Sequence, residues 1–140
     1  MAKTKVKNFK KNGLSETEPG KYKVLVAEND KFISRAFTEG LKKIDFTVIT
    51  AYNGEEALAK IKKEKPDIIL LDLVLLIKNG FEVLAEIKES KKFKSIPVIV
   101  LSNLEEDNDI LRAKKLGATE YLVKANFSMS QIIDKIRQYI

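Results

Sequence analysis

From Tyr22 onwards the chain alternates between two apolar patterns. Short continuous runs suit strands buried on both faces, and each is followed by a stretch whose apolar residues recur every three or four positions, as on one side of a helix. Tyr22 to Ala27 (YKVLVA) is the first run. Phe32, Ile33, Ala36, Phe37, Leu41 and Ile44 then form one helical stripe, with Asn29 or Asp30 placed as its N-cap. Phe46 to Ala51 (FTVITA) is more polar and reads as an edge strand. Asn53-Gly54 opens a helix with Ala57, Leu58 and Ile61 inward, which must stop before Pro66. Ile68 to Leu71 is a wholly apolar strand, followed by Asp72, an irregular apolar loop and an Asn79-Gly80 turn signal. The next helix starts near Phe81 and buries Phe81, Val83, Leu84 and Ile87. Pro97 to Leu101 (PVIVL) is a fourth buried strand, followed by Ser102-Asn103. A more polar helix, Glu105 to Leu116, carries Ile110, Leu111, Ala113 and Leu116 and closes on Gly117. Tyr121 to Val123 is a short fifth strand ending at Lys124, and the last helix carries Ile132, Ile133, Ile136 and Ile140. Five strand–helix units in succession predict an α/β fold, a doubly wound parallel sheet.

Composition narrows the chemistry. The 140 residues include no Cys and no His, which excludes disulfides, thiolate metal sites, Ser-His triads and a phosphohistidine donor. No apolar run is long enough to cross a bilayer and no secretory leader pattern opens the chain, so a cytoplasmic location is expected. Of the net charge of +6, all but one unit falls in residues 1–23, where seven lysines face Glu16 and Glu18. Residues 1–20 lack apolar periodicity and read as a basic, disordered arm, and 21–140 as the folded domain. A solvated tail explains the arm more simply than nucleic-acid binding, Phe9 being the only aromatic residue among its lysines.

Parallel strands end on one edge of their sheet, where ligands bind in open α/β folds. That edge receives Glu28 and Asn29 after strand one, Asp72 after strand three, Ser102 after strand four and Lys124 after strand five. Each has an ordinary explanation alone, as a cap or a solvated charge. Together they offer hard oxygen ligands, a hydroxyl and an ammonium, the set that suits a magnesium ion and a phosphoryl group.

With these residues in place, the sequence over 22–140 resembles the receiver domain of two-component response regulators, the chemotaxis-receiver-like family. The resemblance implies the flavodoxin-like strand order 2-1-3-4-5. It also implies that Asp72 accepts a phosphoryl group from a sensor histidine kinase or phosphotransfer protein. Glu28, Asn29, Asp72 and the backbone carbonyl of Val74 would bind magnesium, Ser102 and Lys124 would engage the phosphoryl oxygens, and Ser102 and Tyr121 would act as the switch. Output is expected through a face of helix four, strand five and helix five, toward a downstream protein target or a second copy in a homodimer. No membrane partner is implied, and nucleic acid would be reached only through the arm.

The chain departs from the family pattern at several positions. Asn29 replaces a carboxylate that usually binds the metal directly, so weak magnesium binding is expected. Leu76 and Ala125 stand where prolines are usual, and Asn103 where a small residue is preferred. An aspartyl phosphatase would need a carboxylate at position 74, which is Val, and a nucleotide-binding fold would need glycines after strand one, where there are none. The expected function is a stand-alone, phosphorylatable receiver. The alternative, favoured by Asn29, is a non-phosphorylated receiver acting as a protein-interaction module.

Overall fold

The computed structural model describes residues 21–140, and the basic arm read at 1–20 lies outside them. Along the chain come β1 (Tyr22–Ala27), α1 (Lys31–Lys42), β2 (Phe46–Ala51), α2 (Gly54–Glu64), β3 (Ile68–Leu71), α3 (Gly80–Glu89), β4 (Val98–Ser102), α4 (Asp107–Leu116), β5 (Glu120–Val123) and α5 (Met129–Arg137). A short 3-10 turn, Lys124–Asn126, links β5 to α5. The strands pair in parallel in the order β2-β1-β3-β4-β5, as the resemblance implied, with β2 at an edge.

Burial explains the unbroken apolar runs. Alternate residues of each central strand face opposite layers. Leu25, Ile69, Leu71 and Val100 pack under α2, α3 and α4. Val24, Val26, Ile68 and Leu70 pack under α1 and α5. A strand covered on both sides has no polar face, so β3 is 2% exposed or less throughout.

The helices start where short polar side chains can cap them. Asp30 accepts from the N–H groups of Phe32 and Ile33, and Asn53 from that of Glu56. Asn79 with Glu82, and Ser128 with Gln131, form capping boxes. Of the two caps expected for α1, Asp30 is the one used.

Four apolar positions expected on helix faces need correction. Phe32 is 87% exposed, not buried, and Ala36 is exposed beside it. The inward face of α1 is Ser34, Phe37 and Leu41, and at about 100° per residue Phe32 and Ala36 fall on the opposite side. Leu111 is 51% exposed for the same reason, because Ala113 sets the buried line of α4. Ile140 lies beyond the end of α5 and is 39% exposed.

Candidate functional site

Strand register brings the charged residues together. Ala27 is paired with Leu71, so the residues that follow, Glu28 and Asp72, leave the sheet side by side. The Asp72 N–H donates to the Ala27 carbonyl at 3.0 Å and the Glu28 N–H to that of Ala51 at 3.0 Å, which fixes both backbones. Ser102 pairs with Val123, which places Lys124 one step beyond it on the same edge.

Both carboxylates converge on Lys124. Its Nζ lies 2.6 Å from Glu28 Oε1 and 2.8 Å from Asp72 Oδ2. Glu28 is 3% exposed and Asp72 5%. Their other oxygens are also held: Glu28 Oε2 accepts from the Asp30 N–H at 3.0 Å, and Asp72 Oδ1 from the Val74 N–H at 3.1 Å. Burial alone would lower the Lys124 pKa. The hydrogen bonds to Asp72 and Glu28 outweigh it, so the ammonium titrates above its ordinary value and is charged at neutral pH.

Ser102 is fully buried at the end of β4, and its Oγ accepts from the Leu104 N–H at 3.3 Å. The half-buried Tyr121 donates its hydroxyl to the Leu104 carbonyl at 2.6 Å. Burial, and next the charges of Asp109 and Asp72, push the tyrosine pKa up, so it stays a neutral donor. Leu104 thus ties Ser102 to Tyr121 through its backbone, a link with no side-chain signal in the sequence. Asn29 is exposed and forms none of the hydrogen bonds that join Glu28, Asp72 and Lys124.

The family model for the response regulator receiver domain matches residues 24–137. The chain belongs to this family. It is 36% identical to protein PilG of Pseudomonas aeruginosa over 118 residues, which span 84% of this chain and 87% of PilG. It is 33% identical to the alkaline phosphatase synthesis transcriptional regulatory protein PhoP of Bacillus subtilis, across 82% of this chain but only 47% of that protein. The manganese-bound response regulator Rcp1 superposes with a TM-score of 0.74 at 33% identity, covering 84% of this chain and 93% of Rcp1. The receiver therefore spans nearly all of PilG and about half of PhoP.

In this receiver the loop from β3 to α3 is held tightly: Leu73 and Leu75 are buried in the core, while other side chains face solvent. Val74, Leu76 and Ile77 are 56%, 70% and 69% exposed. The Leu76 carbonyl accepts from the N–H groups of both Gly54 and Lys78, and Ile77 has a φ of 70°. A β-branched residue with positive φ is strained. Gly80 closes the loop: its N–H donates to the Leu73 carbonyl at 2.9 Å, and a Cβ there would stand 2.3 Å from the Asp72 carbonyl oxygen. Gly80→Ala should accordingly destabilise the fold by about 2–3 kcal/mol and displace Asp72, as overpacking against rigid backbone does. Urea unfolding would measure this, and an unchanged midpoint would contradict the close approach.

The donors fit a hard divalent cation, though sparingly. Among the described residues no group of three or more Asp, Glu, His or Cys side chains is placed to hold a metal ion. The receiver offers two buried carboxylates, Glu28 and Asp72, and any metal held there would need neutral oxygens to complete its shell. No described helix is long and apolar enough to cross a membrane.

Proposed function

We propose that this receiver accepts a phosphoryl group on Asp72 from a histidine kinase or phosphotransfer protein. The observation that carries the reading is the single ammonium of Lys124 held against a buried, strand-end carboxylate. An oxygen of Asp72 forms the new bond to phosphorus as the bond from phosphorus to the donor breaks and its electron pair leaves with the donor. Lys124 then moves its hydrogen bond from the carboxylate to a phosphoryl oxygen, and the Ser102 hydroxyl donates to another. Drawing Ser102 towards the phosphoryl group pulls on Leu104, and through Leu104 on Tyr121. That path supports an output through α4, β5 and α5, the face expected for a downstream protein target or a second copy, with Leu111 exposed on α4.

Glu28, Asp72, Asn29 and the Val74 carbonyl would hold magnesium, which when bound screens the charge of the incoming phosphoryl group. One further carboxylate at about 4 Å is worth on the order of 4 kcal/mol before desolvation at an effective dielectric of about 20. After that offset, Asn29→Asp should tighten magnesium binding by about tenfold, or about 1.4 kcal/mol. Amide chemical shifts followed through a titration test this, and an unchanged affinity would remove Asn29 from the metal site.

A second reading, a receiver that signals by contact without phosphorylation, is favoured by Asn29 alone. Treatment with acetyl phosphate separates the two. Phosphorylation at a carboxylate yields an acyl phosphate that hydroxylamine cleaves, whereas a protein that takes up no hydroxylamine-labile phosphate fits only the second reading.

A further inference from the structure

In a parallel α/β fold the helices run against the strands, so the carboxyl ends of α2, α3 and α4 gather at the edge of the sheet opposite Asp72. Lysines are concentrated there. Lys62 and Lys65 end α2, Lys91, Lys92 and Lys94 occupy the turn after α3, and Lys115 ends α4. All six are exposed, and none takes part in an ion pair among the described residues.

Because α2 packs against α3 and α3 against α4 on one face of the sheet, these lysines follow a row of adjacent helix ends. Lys65 and Lys92 line a hollow with Pro66, Phe93 and Ile96, and Lys62 lines a neighbouring hollow that shares Phe93. The turn between them is pinned by Lys88, whose Nζ donates to the carbonyls of Lys94 at 2.9 Å and Ile96 at 2.7 Å. The Lys88 stem lies against Gly117, two residues past Lys115. The acids nearby are partly engaged: Glu64 pairs with Lys23, and Asp67 accepts from the Lys23 N–H, leaving Glu89 exposed and without an ion pair among the described residues.

Helix dipoles favour cations in a last turn, and that accounts for Lys62 and Lys115. It does not account for Lys91, Lys92 and Lys94, which lie beyond the end of α3. We propose that this row binds the phosphate backbone of duplex nucleic acid, at the pole of the molecule opposite its phosphorylation site.

Three features select that partner. Lysine is a compact point charge without the planar fork that reads base edges, so the row suits phosphates and not sequence. No exposed aromatic ring stands in the row to stack on an unpaired base, since Phe93 is only 9% exposed, which favours a duplex over a single strand. A membrane surface would call for apolar side chains to insert, and the exposed Phe32, Val74, Leu76 and Ile77 are on loops and a helix start at the other edge. With helix axes 8–10 Å apart, three helix ends span about 20 Å, over which a duplex presents roughly a dozen phosphates.

The test uses the full chain, a fluorescein-labelled mixed-sequence duplex of about 20 base pairs, and anisotropy at salt concentrations from about 50 to 200 mM. The wild type should bind at low salt and weaken steeply as salt rises. Lys91→Glu with Lys92→Glu should lower affinity by about tenfold or more and flatten the log–log salt slope by about 2, at roughly 0.9 for each phosphate no longer neutralised. Lys42→Glu with Lys43→Glu makes the same charge change at the end of α1, on the other side of the sheet, and should leave the slope unchanged. Residues 1–20 are common to all three proteins and drop out of the comparison. Equal losses from the two pairs, no duplex binding by the wild type, or preferential capture by phosphatidylserine vesicles would each overturn the proposal.

Discussion

Lys124→Met is expected to cost about 3 kcal/mol of stability and to cut phosphorylation on the order of a hundredfold. The ammonium is the charge that Glu28 and Asp72 share, and both carboxylates are at least nine-tenths buried. Without it, two like charges face each other with little water to screen them. The Lys124 side chain is 16% exposed, so some solvent reaches the bridge, and the cost belongs at the lower end of what breaking a buried ion pair brings. The pH dependence follows from the raised lysine pKa. A group whose folded pKa lies above its unfolded value stabilises fully below the unfolded value, about 10.4, and loses that contribution as pH rises through the folded one. The gap between wild type and Lys124→Met in urea should therefore hold from neutral pH to about 10 and close above it. A variant as stable as the wild type at pH 7 would show that the bridge contributes nothing net.

The second large effect concerns the lifetime of the phosphorylated state. Hydrolysis needs a water held in line behind phosphorus, and polar side chains beside the site commonly hold it. By the receiver resemblance, the positions that would hold it, two past Asp72 and two past Ser102, are Val74 and Leu104, whose side chains have no hydrogen-bonding group. Slow loading and slow decay are expected. Val74→Asn or Leu104→Glu should speed decay on the order of tenfold, short of the hundredfold of a fully positioned base, and change loading less. The Leu104 side chain is partly buried against the core, so the exposed Val74 is the cleaner position for this test. Decay is followed by loss of the phosphorylated mass with time. Wild-type decay as fast as that of rapid-response receivers measured alongside would contradict this account.

The strand ends were legible in the sequence for a physical reason. A parallel strand buried on both faces, as β3 is, leaves no polar position inside it, so a charge stands out where the strand stops, as at Asp72. The short caps Asp30, Asn53 and Asn79 were legible for a similar reason, since each takes up helix N–H groups that nothing else satisfies. What stayed hidden depends on rotation and distance. Phe32 and Phe37 are both aromatic on α1, yet only the helix's rotation leaves one in solvent and the other 2% exposed. Ser34 occupies the inward face with no hydrogen-bond partner for its hydroxyl, a position an apolar count passes over. That Glu28 reaches Lys124 across 96 residues of chain, and that Gly80 touches the Asp72 backbone, follow from packing and not from residue type.

The most direct test of the central claim is the intact mass of the full chain after incubation with acetyl phosphate and magnesium, for the wild type beside Asp72→Asn. The account predicts that the wild type gains the mass of one phosphoryl group and that Asp72→Asn gains none. Equal gain by both proteins, or no gain by the wild type at saturating donor and magnesium, would contradict it.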